Sequence, residues 1–138
     1  TLFFRGLARV PVASLASDEE VVAPLAEAFY DQTSLATPVR DRLLAWLRQY
    51  AARVRRDGQE PAARIATMDQ TNPRYVLRNY LAQQAIDALA HGDETVLRRL
   101  MTVLQRPYDE QPGQADLAAR RPEWARNRAG CSALSCSS

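Results

Sequence analysis

At 138 residues, 46% hydrophobic and 25% charged, the chain has the size and composition of one soluble globular domain, long enough to bury most of the apolar surface of a core. Its net charge of +2 is too small to mark a nucleic-acid binder, and no run approaches the roughly 18 apolar residues that a membrane span needs. All 18 basic residues are arginine and none is lysine, a bias that reads as codon usage in the source rather than as a binding surface.

Two cysteines near the end do not make the framework of a disulfide-built secreted scaffold, so a reducing cytoplasm is expected. Thr1-Leu2-Phe3-Phe4 is apolar but too short for a signal-peptide core, and no basic region stands before it. It reads as the middle of a helix or strand that begins upstream.

The chain then reads as helices punctuated by proline and glycine. Ser17 is placed to cap a helix whose first turn is Asp18, Glu19 and Glu20, acids that suit the positive end of the dipole. Pro24 interrupts it, which predicts a kink and a short helix to Tyr30. Thr37 as N-cap and Pro38 at the first helical position open the next helix. Val39, Leu43, Trp46, Tyr50 and Val54 recur every three or four residues as its expected buried stripe, with Arg40, Arg48, Arg55 and Arg56 away from it. Gly58 stops it, and Glu60-Pro61 opens a shorter helix towards Asp69.

Asn72-Pro73 repeats that start signal. It predicts a helix with Leu77, Tyr80, Leu81, Ala85 and Leu89 buried, ended by Gly92 after His91. Asp93 caps a last helix whose apolar face is Leu97, Leu100, Met101 and Leu104, with Arg98 and Arg99 outward. Beyond Gln105, Pro107, Pro112, Gly113 and Pro122 break the periodicity. Two regions are therefore expected: a helical one over 1–105, and an extended Pro-rich tail over 106–138 pinned by Tyr108, Leu117 and Trp124. No stretch alternates with period two, so no strands are predicted.

Few residues carry chemistry. His91, the one histidine, falls at a helix end, where it satisfies free carbonyls more readily than it serves a triad or a metal, since no second histidine or matched cysteine stands near it. Asp109-Glu110 reads as solvated loop charge ahead of a metal pair. Arg74 with Arg78, and Arg98 with Arg99, are spaced to clamp a phosphate, but salt-bridged helix faces are the preferred reading. The five glycines are isolated, so there is no phosphate loop. Cys131 and Cys136 have the wrong spacing for a C-x-x-C pair and lack further zinc ligands. Both are expected in an exposed tail where oxidants or other thiols reach them.

Three segments carry a resemblance. Asn72-Pro73-Arg74-Tyr75-Val76-Leu77-Arg78-Asn79-Tyr80-Leu81-Ala82-Gln83, Arg106-Pro107-Tyr108-Asp109-Glu110-Gln111-Pro112 and Ser135-Cys136-Ser137-Ser138 resemble, in order and rough separation, the last part of the selenoprotein O family. Residues 1–71 match it loosely, chiefly Thr1 to Arg5 and around Phe29-Tyr30. The resemblance implies an all-α chain: the C-terminal helical part of a protein-kinase-like fold, followed by the irregular tail. It implies a parent enzyme that transfers AMP from ATP to hydroxyl side chains of proteins, using Mg²⁺ or Mn²⁺.

The family's catalytic lysine, metal-binding Asn and Asp and general base lie in the kinase-like core, and none is carried over to this chain. One position is carried over: Cys136, where some members hold selenocysteine and bacterial members commonly cysteine. The resemblance gives it a redox role, including a reversible disulfide with a cysteine of the core. The stretch from Trp124 to Cys136 is longer than the family's usual one and Cys131 is an added thiol, so Cys131 competes for that partnership. Arg126 and Arg128 are placed to lower the thiol pKa. The implied partners are the upstream kinase-like core of the same chain and the protein substrates of the parent, with no nucleic acid and no membrane, in a bacterial cytoplasm. The alternative is a stand-alone all-α module whose exposed stripes bind a partner helix.

Overall fold

The computed structural model describes residues 1–12, 16–29 and 37–131. Among these every regular element is helical and none is a strand. Two compact units divide the chain, Thr1–Asn72 and Pro73 onward, and each is described by itself. The division expected at 105/106 does not appear in the packing, because residues 106–131 fold back onto the helices of the second unit.

The first unit holds α1 (Leu2–Arg9), α2 (Asp18–Val22) with a 3-10 helix at Ala23–Ala28, α3 (Thr37–Asp57) and α4 (Pro61–Thr71). Ser17 caps α2 in a reciprocal box: its hydroxyl accepts the Glu20 amide at 3.2 Å, and its amide donates to the Glu20 carboxylate at 2.7 Å. Pro24 has no N–H to continue the α ladder, and the chain tightens into the 3-10 helix, which ends at Ala28. Gly6 lets α1 lie directly on that turn, since a Cβ there would sit 2.4 Å from the Pro24 carbonyl oxygen.

Leu7, Val10, Val21, Val22, Leu25, Leu44 and Leu47 form the core of this unit. Arginines tie α1 to α4. Arg9 forks onto the Asp69 carboxylate at 3.0 and 2.7 Å, and Arg5 donates to the Asn72 carbonyl at 3.1 Å. Buried Arg64 donates to the Leu7 and Val10 carbonyls at 3.3 and 3.2 Å and to the Tyr50 hydroxyl at 3.1 Å.

The buried stripe of α3 is only partly the expected one: Val54 is buried and Leu43 and Tyr50 pack against the core. Leu44, Leu47, Ala51 and Val54 face the core, whereas Val39 and Trp46 are half exposed. The helix carries overlapping apolar stripes, and the ion pairs Arg40–Glu19 and Arg48–Asp18 accompany the rotation that buries the second.

The second unit holds α5 (Asn79–Ala90), α6 (Thr95–Leu104), the short α7 (Ala115–Ala118) and a 3-10 turn at Glu123–Ala125. Asn72-Pro73 does not start α5, which begins at Asn79. The amides of Arg74 and Tyr75 donate instead to the Pro107 carbonyl at 2.7 and 3.0 Å, which holds this stretch out of the helix. Of the expected face, Tyr80, Leu81 and Ala85 are buried, while Leu77 and Leu89 are exposed.

Gly92, at φ +80°, follows the last turn of α5 as expected. The Asp93 carboxylate accepts the Thr95 amide at 2.8 Å and opens α6. There Leu100 and Val103 are buried and Leu97 and Leu104 pack beside them, but Met101 points outward.

Residues 106–131 are not an extended tail. Leu117, Ala118, Ala125 and Cys131 enter the same core as Tyr75, Tyr80, Leu81 and Leu100. Leu117 pins the segment as expected. Tyr108 and Trp124 are both half-exposed, Trp124 resting edge-on against Tyr80 at 6.2 Å.

Candidate functional site

The segments 73–83 and 106–112 meet in the second unit. Besides the bonds to Pro107, the Arg74 guanidinium pairs with Glu110 at 2.9 Å and lies over the Tyr75 ring at 5.9 Å. The buried Tyr75 hydroxyl receives the Gln111 amide at 3.3 Å and donates to the Gln111 carbonyl at 3.4 Å. The Gln111 side chain in turn closes the end of α6, donating to the Val103 and Arg106 carbonyls at 3.0 and 2.8 Å. Two stretches thirty residues apart in sequence are therefore one structural knot.

This geometry settles the roles of several candidates. Arg74 is engaged by Glu110, and Arg78 donates to the carbonyls of Ala118 and Ala119. Asp109 faces Arg106 at 3.8 Å, so the adjacent acids each meet an arginine. Arg98 pairs with Glu94. Arg99 forks onto Asp116 at 2.6 and 2.9 Å, and this bond holds Asp116 below its ordinary value and Arg99 above its own. The pair forms one wall of a cavity of about 350 Å³ that is otherwise lined in part by Tyr80, Leu81 and Leu117. Among the described residues no three of His, Cys, Asp and Glu gather to hold a metal ion.

A second cluster anchors the end of the described chain to α5. Gln83 donates to Asp87 at 2.9 Å, and Arg128 reaches the other oxygen of that carboxylate at 2.6 Å. Arg128 also lies 5.7 Å from the centre of the Trp124 ring. Gly130, at φ +78°, lets the backbone press onto Gln83, where a Cβ would fall 2.3 Å from the side-chain oxygen. His91 stays at the end of α5, its Nδ1 at 2.8 Å from the Asp87 carbonyl, in the structural role expected of it.

Cys131 lies at the end of this anchor, buried, with its amide donating to the Arg128 carbonyl at 3.1 Å. The exposure expected for it is corrected: its thiol is a core group alongside Tyr80 and Ala125. Arg126 pairs with Glu123 and Arg128 with Asp87. Cys136 lies outside the described residues. Gln83, Asp87 and Gly130 were missed by sequence reasoning. The one local signal was the i, i+4 spacing of Gln83 and Asp87, which places them on one helix face.

Comparison with known proteins finds relatives that carry the name protein nucleotidyltransferase. Over its whole length the chain is similar to the protein nucleotidyltransferases YdiU of Nitrosospira multiformis, 48% identical over 158 aligned residues, and of Xanthomonas axonopodis pv. citri, 53% identical over 138. The YdiU protein of Xanthomonas campestris pv. campestris is 52% identical over 138 residues. The resemblance to the YdiU or selenoprotein O proteins extends along the whole chain, which spans 26 to 28% of the length of these relatives. No family model matches it. No described helix is long and apolar enough to cross a membrane.

Proposed function

We propose that the chain is the C-terminal segment of a protein adenylyltransferase, an enzyme that moves AMP from ATP to hydroxyl side chains of proteins. The observation that carries this reading is identity of about one half, along the entire chain, to proteins named as nucleotidyltransferases and nearly four times as long. The segment contributes structure. Its helices belong to the helical lobe of a kinase-like fold, and ATP with Mg²⁺ or Mn²⁺ is bound by the kinase-like core that precedes it. The absence of lysine from the chain supports that division of labour, because the ATP-handling lysine that the resemblance implies has to come from elsewhere. The setting is the bacterial cytoplasm, and the partners are that core and the protein substrates.

Cys136 is the redox residue of this reading. Thiol–disulfide exchange with a disulfide acceptor would join it to a cysteine of the core, two thiols giving up two protons and two electrons and the acceptor being reduced to thiols. The burial of Cys131 supports assigning the exchange to Cys136, since a buried apolar thiol is a poor nucleophile.

The reading frame upstream of the Thr1 codon tests the proposal. An open frame of several hundred codons with a kinase-like Lys, Asp and Asn set is expected, and a start codon directly before Thr1 would overturn it. Calorimetry on residues 1–138 is expected to detect no ATP–Mg²⁺ binding; micromolar binding would mean that the nucleotide site lies within this chain.

A further inference from the structure

α3 carries more apolar surface than the first unit uses. Its Leu44, Leu47, Ala51 and Val54 stripe is buried. A second stripe runs through Val39 and Trp46, seven residues apart and hence on one face, and these are 52% and 44% exposed. Trp46 belongs to a connected row. It stacks on Tyr50 at 5.7 Å and meets Phe3 at 6.1 Å, and Phe3 meets Phe4 edge-on at 5.6 Å. Phe4 is itself 51% exposed. Exposed apolar residues scattered singly need no explanation, but a contiguous aromatic row marks a surface that something covers. Arg42, between Val39 and Trp46 on the helix, stands at its rim, an arrangement common at protein interfaces.

The row ends beside Thr1. The Arg5 amide donates to the Thr1 carbonyl at 3.0 Å, so Phe4 stands in the first turn after it. A residue bonded ahead of Thr1 has its Cα about 3.8 Å away. The relatives carry nearly three quarters of their length outside the part this chain matches. A covalently attached segment also competes for a neighbouring surface at a far higher effective concentration than a second molecule.

Resting on the reading of the chain as a C-terminal segment, we infer that the row Phe4–Phe3–Trp46, continued by Val39, is the docking seat for the polypeptide that precedes Thr1, which covers it with an apolar face. Phe4 and Trp46 are the anchors. The row holds the kinase-like core against the first unit, and Val39 and Trp46, the two members of the expected α3 stripe left exposed, are then buried against a neighbour.

Hydroxyl-radical footprinting with residue-resolved mass spectrometry tests this on residues 1–138 and on the longer protein encoded by the same gene. Phe4 and Trp46 are expected to be modified at least about fivefold more slowly in the longer protein, independently of its concentration. Equal rates in the two would overturn the inference while leaving the longer enzyme standing. Protection that grows with protein concentration would overturn it in favour of a second copy. A gene with no upstream frame removes the reading and the inference together. Val39→Asp gives an independent check, since an acid near the start of α3 suits the helix dipole. It is expected to leave the melting temperature of 1–138 unchanged and to lower that of the longer protein by about 4 °C or more. The same small effect in both would count against the seat.

Discussion

Arg128 reaches Asp87 at 2.6 Å across 41 residues of sequence, and with it the end of the described chain is fixed to α5. Asp87 lies below its ordinary value of 3.8, first through the hydrogen bond from Gln83 and then through the charge of Arg128. Glu20, Asp93 and Asp116 are lowered in the same direction, by Ser17, Thr95 and Arg99 respectively. A carboxylate lowered in the folded state stabilises it fully above the unfolded value, and that contribution disappears as pH falls through the folded value. Thermal unfolding followed by circular dichroism is expected to give a flat melting temperature from pH 7 to about 5 and a progressive fall below about 4. Asp87→Asn should lower it at neutral pH and make the acid fall shallower; an unchanged acid slope would show that the pair does not stabilise the fold.

The knot between residues 73–83 and 106–112 is tested at Tyr75. Tyr75→Phe keeps the buried ring and removes both bonds to Gln111. It is expected to cost about 1 kcal/mol by urea denaturation. Glu110→Gln removes a partly exposed ion pair with Arg74 and is expected to cost less than about 1 kcal/mol.

The phase of α3 separates two residues of similar chemistry. Leu47, fully buried, is expected to lose about 2–5 kcal/mol on replacement by Ala. Val39→Ala in residues 1–138 is expected to stay within about 0.5 kcal/mol. The reverse order in denaturant titrations would restore the stripe first expected from the sequence.

Devices that act within one turn were legible in the sequence. The Ser17 box, the change of helix type at Pro24, and the stops at Gly58 and Gly92 each rest on neighbours three or four residues away. What failed was decided at long range. Asn72-Pro73 has the form of a helix start, but the Arg74 and Tyr75 amides are taken by Pro107, more than thirty residues on. In α3 two apolar stripes overlap, and periodicity alone does not say which meets the core. The Pro-rich stretch after Gln105 has no period, so the burial of Ala125 and Cys131 left no pattern to find. The Thr37 cap lies outside what can be compared, since the residues before it are not among those described. For the candidate site, Arg74, Arg78 and Arg128 were visible, but their carboxylate and carbonyl partners stand 36 to 41 residues away.

Gly130→Ala probes the anchor that buries Cys131. The left-handed backbone at φ +78° and the contact with Gln83 both oppose a side chain, and the backbone alone costs about 1–2 kcal/mol. In a Cys136→Ser background, reaction of Cys131 with a thiol reagent is expected to be slow in the parent and at least about tenfold faster in Gly130→Ala, a factor that corresponds to about 1.4 kcal/mol of easier opening. Equal rates would show that Gly130 does not govern access to the thiol.

Transfer of label from ATP carrying a radioactive α-phosphate tests the central claim most directly, with residues 1–138 and the longer protein assayed side by side on protein substrates with Mg²⁺ or Mn²⁺. The longer protein is expected to attach AMP to protein hydroxyls and residues 1–138 to attach none. Labelling by residues 1–138 alone, or its absence from the longer protein, would contradict the account.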